Sequence, residues 1–375
     1  MNFDLSDEQQ LLQDVVTRFV EDNYDLDRRT KLVAGKTGFS EDYWSSMAEL
    51  GWFAMPFDEP DGGFGGNQID AMVIMEQFGR GLVLEPFYAS IVLGGGVIKR
   101  AASRAQKAAL LPGVIDGRSQ LTLAWAEEQA RFDLHDVTTT ARAEGDGFVL
   151  NGQKSIVTNA ETATHIIVSA RTGGGQIDED GISLFIIDAD AEGVTRSNFP
   201  TVDGLRASEI SFTGVRVTGD ALLGEAGNGF SALRGAANDG VLALCAEAVG
   251  AMEILYKDTV AYTQEREQFD HPLADFQVVQ HRLVEMFMEY EQCKSMLFRA
   301  TMEAAQGDTP AAQRAVHGLK HLVGKAGTFI GENAVQLHGG MGMTEELRVG
   351  HYFKRLIVID GQFGDADYHL ACFAA

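Results

Sequence analysis

Two segments of this chain carry residue types suited to holding an anionic ligand. Arg266 opens the run Arg266-Glu267-Gln268-Phe269, and about seventy residues later comes Gln336-Leu337-His338-Gly339-Gly340-Met341-Gly342-Met343-Thr344. A ligand with two phosphates needs cations and backbone N–H groups aimed at it, because the chain as a whole repels it: 54 acidic against 30 basic side chains give a formal net charge of -24. Arg266 is a candidate cation, and the glycines let the backbone approach closely. Taken singly, Arg266 reads as well as a solvated charge at a helix end, and the glycines as an ordinary turn. Gly340-Met341-Gly342 is not a Rossmann fingerprint, since Glu345 stands where the third glycine would be and no βαβ unit surrounds it. A third candidate is a carboxylate, Glu247, in Val241-Leu242-Ala243-Leu244-Cys245-Ala246-Glu247-Ala248-Val249-Gly250. It lies two turns beyond Gly240 on the same helical face. Apolar or small residues on all sides predict a buried helix, where desolvation would raise a carboxyl pKa toward the range of a general base. The competing reading is a glutamate satisfied by an arginine across a subunit contact.

The elements that must position these residues fall into three stretches. The first third reads as helices. Ser6-Asp7-Glu8-Gln9 is a capping box, after which Leu11, Leu12, Val15, Val16, Phe19 and Val20 share one face. A second helix follows Ser40, carrying Trp44, Met47 and Leu50 until Gly51 stops it. Asp61-Gly62-Gly63-Phe64-Gly65-Gly66 reads as a loop, and further helices are expected from Ile69 to Phe78, Ile91 to Lys99 and Ser103 to Leu111. Near Ser119 the period becomes alternating, predicting a β domain with a hairpin at Glu144-Gly145-Asp146-Gly147. Its later strands are expected at His165 to Ala170, Ile182 to Asp188 and Glu209 to Val217. Gly173-Gly174-Gly175 with Asp178-Glu179-Asp180 reads as a mobile loop. Beyond Gly224 an alanine-rich helical pattern predicts four helices, two of them separated at Gly307-Asp308-Thr309-Pro310. The domain boundaries expected are 1–118, 119–225 and 226–375, in an α+β chain.

Composition narrows the class further. At 375 residues each stretch can bury its own core. The cysteines Cys245, Cys293 and Cys372 are odd in number and far apart, which fits a reducing cytoplasm and gives no metal-ligand spacing. The start, Met1-Asn2-Phe3-Asp4-Leu5-Ser6-Asp7-Glu8, lacks the basic and apolar runs of a signal peptide. No apolar stretch approaches the roughly 18 residues of a membrane span. The acidic balance opposes nonspecific nucleic-acid binding.

Paired at this distance, the Arg266 and Gln336 motifs resemble those of the acyl-CoA dehydrogenase family, and so does the order of helices, compact strand domain and helical bundle. The resemblance covers essentially the entire chain and implies an N-terminal helical domain, a central β-barrel domain and a C-terminal four-helix bundle. It also implies FAD, an acyl-CoA substrate whose Cα–Cβ bond is oxidised to a trans-enoyl product, and an electron-transfer flavoprotein as electron acceptor. By this resemblance Arg266, Phe269, Gln277, Gln336 and Gly340 are cofactor anchors, reaching a flavin held mainly by a neighbouring subunit. Lys154-Ser155-Ile156-Val157-Thr158-Asn159 is similar to the family's Lys-Ile-Trp-Ile-Thr-Asn, which makes Thr158 a neighbour of flavin N5. The family's Thr-Glu-Pro and Gly-Ser-Asp segment corresponds to Ala126-Glu127-Glu128 and Arg131-Phe132-Asp133, so a threonine and a serine are lost. The backbone N–H of Ala126 could still serve the ring.

The catalytic glutamate departs as well. The family's Tyr-Glu-Gly-Thr corresponds to Gln362-Phe363-Gly364-Asp365, which puts a phenyl ring in the glutamate's place, and a second family arrangement falls on Gly240. Runs around Glu247, Val349 to Leu356 and Phe363 to Asp367 resemble the pimeloyl-CoA dehydrogenase small subunit and the steroid side-chain dehydrogenases that assemble as α2β2 tetramers. That narrower resemblance casts Glu247 as the base, with Asp365 in reserve, and a homologous large subunit or a homotetramer as the assembly. Two other readings stay open: a non-catalytic subunit that completes a partner's flavin site, and a flavin oxidase of the same fold.

Overall fold

The computed structural model describes residues 5–375, so Met1 to Asp4, the start of the acidic N-terminal run, lie outside the described residues. Helix α1, Asp7–Asn23, begins with the capping box: Ser6 Oγ accepts from Gln9 N at 3.2 Å, and Gln9 Oε1 accepts from Ser6 N at 3.1 Å. Of its six expected inward residues only Val16 and Val20 are fully buried, while Leu11 is 65% exposed. Helix α2, Leu26–Val33, was not expected. Helix α3, Glu41–Glu49, is capped by Ser40 and buries Trp44 and Met47, with Gly51 beyond it at φ +79°. Helices α4, Gln68–Gly81, α5, Gly95–Ala101, and α6, Arg104–Ile115, complete the helical third. A π-helical stretch, Tyr88–Gly94, leads into α5 in place of a single regular helix from Ile91. Such wide turns recur at functional sites.

The alternating segment folds into one eight-stranded sheet. Its strands are β1 Leu121–Ala124, β2 Thr140–Glu144, β3 Gly147–Thr158, β4 His165–Arg171, β5 Ile182–Asp188, β6 Val194–Pro200, β7 Arg206–Thr218 and β8 Leu222–Leu223, in the order β6-β7-β3-β2-β4-β5-β8, with β1 parallel to β4. The β2–β3 hairpin turns at Gly145, φ +63°, pairing Glu144 with Gly147. Leu150, Ile166, Val168, Phe185, Ile210 and Val215 form the centre of its core. The segment expected to be mobile is tied down. Arg171 donates to the carbonyls of His135, Gln176, Asp178 and Asp180 at 2.7 to 2.9 Å, and Asp178 Oδ2 accepts from Gly175 N at 2.7 Å. A glycine-rich composition signals freedom in the unfolded chain, but four carbonyls around one guanidinium remove it here.

The last stretch contains five helices where four were expected: α7 Phe230–Glu265, α8 Gln277–Ala304, α9 Pro310–His338, α10 Arg348–Gly361 and α11 Ala366–Ala374. Pro310 sits in the first turn of α9 behind its cap Thr309. Helix α11 exists because Asp365 caps it, accepting from Tyr368 N at 2.8 Å. Between α7 and α8 a short hairpin pairs β9, Glu267–Gln268, with β10, His271–Pro272. The chain divides into two compact units, one of Met1–Lys31, Gln68–Val83 and Val241–Ala375, the other of Leu32–Asn67 and Leu84–Gly240. Within the first unit, a Cβ on Gly79 would fall on the carbonyl of Glu247, and one on Gly250 on that of Glu76, so α4 and α7 touch backbone to backbone. Among the described residues no helix is long and apolar enough to cross a membrane.

Candidate active site

In the strand-bearing unit the segments Ala126-Glu127-Glu128 and Lys154 to Asn159 are joined. Lys154, fully buried, donates from Nζ to Glu127 Oε1 at 2.7 Å, Ser169 Oγ at 2.9 Å and the Trp125 carbonyl at 3.0 Å. Ser155 N donates to the Ala126 carbonyl at 2.9 Å. Glu127 also accepts from Thr138 N at 2.8 Å, Thr139 N at 3.1 Å, Gln129 Nε2 at 3.0 Å and the Thr138 hydroxyl. Burial pushes the Glu127 carboxyl up, but the charge and hydrogen bond of Lys154 outweigh it and hold the group at about 2. Burial lowers Lys154 to about 8 against the pull of Glu127. The pair is ionised at neutral pH and fixes the backbone on both sides of Ala126.

Beyond Lys154 the β3–β7 register slips at a bulge. Ile156, in the tryptophan's place, takes φ +51° and is 65% exposed. A β-branched side chain in the left-handed region is strained and persists only where surrounding structure imposes it. Thr158 is partly exposed, and its carbonyl accepts from Thr122 Oγ1 at 2.7 Å. Asn159, φ +55°, follows, and its buried Nδ2 has no hydrogen-bond acceptor among the described residues. An unmet buried donor beside Thr158 is a place for a ligand acceptor.

The five expected anchors lie in the other unit, and all are exposed. Arg266 follows directly on α7, its carbonyl accepting from Leu273 N at 2.8 Å across the β9–β10 hairpin. Phe269 tips that hairpin at φ +55° and is 85% exposed. Gln277 begins α8. At the far end of α9, Gln336 precedes buried His338, which stacks on Tyr262 with ring centroids 4.2 Å apart, and nothing lies within 4 Å of a Cβ built on Gly340. Tyr262 belongs to the last turns of α7, so this stack brings the Arg266 and Gly340 segments together. A cation, an exposed aromatic and an open glycine backbone suit the phosphates and adenine of a dinucleotide. In the strand-bearing unit, the unmet amide of Asn159 suits the polar edge of a flavin ring.

Glu247 is 5% exposed, but its surroundings are not apolar all round. Arg355 of α10, itself 4% exposed, donates from Nε to Oε1 at 2.6 Å and from Nη2 to Oε2 at 2.7 Å. The arginine weighed as a partner across a subunit contact is thus in the same chain. Asp365 caps α11. At Gly240, the position the resemblance aligns with a second glutamate, a Cβ would meet Leu93 Cδ2 at 2.5 Å and the Tyr88 hydroxyl at 3.1 Å, so those side chains leave no room there.

Phe363 has a left-handed backbone, φ +57°, followed by Gly364 at φ +118°. Lys320, His317, His321 and His369 surround this turn, and sequence reasoning missed all four. The available signal was a lysine on the same helical face as Val316, Val323 and Gly327, a charge where the pattern asked for an apolar residue.

Models of the acyl-CoA dehydrogenase N-terminal, middle and C-terminal domains match residues 6–118, 122–215 and 227–372. The probable acyl-CoA dehydrogenase YngJ of Bacillus subtilis is 30% identical over 354 residues, 93% of this chain and 92% of that protein. The caffeyl-CoA reductase-Etf complex subunit CarC of Acetobacterium woodii is 28% identical over 323 residues, covering 84% of each chain. Among solved structures, a variant of the steroid acyl-CoA dehydrogenase Tcur3481-Tcur3483 superposes with a TM-score of 0.88 at 28% identity, covering 98% of this chain and 96% of that one. With three domain models spanning its helical, strand and helical stretches, this chain belongs to the acyl-CoA dehydrogenase family.

Proposed function

We propose that the chain is an FAD-dependent acyl-CoA dehydrogenase subunit that oxidises the Cα–Cβ bond of a CoA thioester to a trans-2-enoyl thioester. The observation that carries this reading is the pair of prepared segments: the Lys154–Glu127 lock beside Thr158 and the orphan amide of Asn159, and the exposed Arg266, Phe269, Gln277, Gln336 and Gly340. Bound FAD would supply the acceptor for the hydride leaving Cβ. Thr158 with the main chain at Ala126 would meet the ring of a bound FAD, while Arg266 and the backbone at Gly340 would reach the pyrophosphate, and Phe269, Gln277 and Gln336 the adenine end, of a flavin held mainly by a neighbouring subunit. We assign these roles across domains 1–118, 119–225 and 226–375 of a cytoplasmic enzyme. An electron-transfer flavoprotein is the proposed electron acceptor, a choice supported by the Acetobacterium woodii relative, whose name places it in an Etf complex.

The α-proton must go to a carboxylate. Glu247 is the proposed acceptor: the Arg355 fork uses one lone pair on each of its oxygens and leaves a second on each. The same fork favours a second reading, in which Glu247 spends its charge on joining α7 to α10 and the chain is a non-catalytic subunit that completes the flavin site of a homologous large subunit in an α2β2 assembly. Turnover of the Glu247→Gln holoenzyme, with flavin content and assembly checked, separates them. A loss of at least about 100-fold in kcat with flavin retained supports Glu247 as base. Retained turnover with an artificial electron acceptor removes it from the chemistry.

A further inference from the structure

Three helices of the first unit enclose a cavity of about 700 Å³ that none of the roles assigned above uses. Its apolar walls are Met296 of α8, Leu322 of α9, and Leu370 and Phe373 of α11. That volume is within the range of small-molecule sites. Gly318 of α9 keeps the space open. A Cβ there would meet the Phe373 ring at 3.2 Å and Met296 Cε at 3.3 Å, so any larger side chain would enter the cavity. Leu370 is 45% exposed, which leaves apolar surface uncovered at the same place.

The charges at the cavity do not cancel. Glu303 is already engaged, accepting from Arg299 Nε at 3.0 Å. His321 spends its Nδ1 proton on the Ala366 carbonyl at 2.8 Å. Arg314 sits with its guanidinium 4.6 Å from the centre of the Phe373 ring, and no carboxylate among the described residues neutralises it. Arg299, Glu303 and Arg314 together leave one positive charge, in a chain whose net charge is -24. One uncompensated guanidinium matches a monoanion, and its planar fork matches a carboxylate in particular. The walls beside it match an apolar tail.

We propose that this cavity binds a small amphiphilic monocarboxylate, with its headgroup on Arg314 and its tail against Met296, Leu322, Leu370 and Phe373. The site is separate from the cofactor segments, since the helix rise puts Gly318 roughly 27 Å from Gln336 along α9. The proposal therefore stands or falls independently of the dehydrogenase reading.

Isothermal titration calorimetry of the full chain with octanoate, decanoate, dodecanoate and decanol, all below their micelle-forming concentrations, tests it. Wild type should bind one carboxylate per chain, with Kd falling about fourfold for each methylene added until the cavity is full. Arg314→Gln should weaken decanoate at least about tenfold and leave decanol unchanged, because only the charge-assisted bond is lost. Gly318→Leu fills the cavity and should weaken both by at least about tenfold. If that variant does not fold, Leu370→Asp at an exposed position places a carboxylate beside the headgroup and should weaken decanoate to a similar degree. Absence of saturable binding overturns the proposal. So does binding that Arg314→Gln and the cavity variants leave unchanged, which would put the ligand elsewhere, the acyl site of the proposed reaction included. Sedimentation of the same proteins completes the test: if the cavity variants change the number of subunits while wild type binds no decanoate, this face is a contact between subunits and the proposal fails.

Discussion

Lys154→Met removes the cation bonded to Glu127 and leaves a carboxylate that is 4% exposed with hydrogen bonds but no bonded counter-charge. Two routes give the size of the effect. A carboxyl lowered from 4.5 to about 2 contributes about 3 kcal/mol to folding at neutral pH, and stripping one partner from a buried ion pair costs about 3–5 kcal/mol. The variant should therefore lose about 3–5 kcal/mol at pH 7. The sign of its pH dependence follows from the same group. In the wild type the folded pKa is depressed, so this stability is present above pH 4.5 and is lost as pH falls through about 2. In the variant only burial and neutral hydrogen bonds remain, and burial, the largest influence on this carboxyl, drives it toward the protonated form. The deficit relative to wild type should thus shrink on acidification from pH 7 to 4. Urea unfolding followed by tryptophan fluorescence is suited to this, because Trp44, Trp52 and Trp125 all lie in the same compact unit as the pair. A deficit below about 1 kcal/mol at pH 7, or one that is unchanged at pH 4, would refute the reasoning.

Replacing Arg266 by alanine should weaken flavin retention by about 10- to 100-fold, the range expected for one charge-assisted bond, measured as flavin absorbance after gel filtration. The wild type should lose flavin more steeply than the variant as salt rises. Arg171→Met should open the segment 173–181, seen as cleavage after Glu179 by a glutamate-specific protease at least about tenfold faster than in wild type, because four carbonyls lose their donor at once.

What could be read in the sequence was local. The capping box at Ser6, the hairpin at Gly145 and the strand Ile182–Asp188 each depend on residues within a few positions of one another, and the structure reproduces them. The β8 strand, α2 and the π-helical stretch escaped notice because their patterns are short or aperiodic. The site divides the same way. The anchors carried by two compact motifs were legible as candidates, but the surroundings of Glu247 were misjudged because Arg355 lies 108 residues away. Nothing in the helix around Glu247 announces a partner from α10. Likewise Lys154 and Glu127 stood in separate motifs, and only the fold makes them one ion pair.

The cage around residue 363 has a consequence for how such an enzyme can change over evolutionary time. Ordinarily, altering a residue in a strained turn also disturbs the bonds that hold the turn, so a new side chain and lost stability arrive together. Here Lys320, His321 and His369 grip carbonyl oxygens, which every amino acid supplies alike. These bonds therefore stay available whichever side chain stands at position 363, and the main-chain framework of the turn can be inherited while that side chain changes.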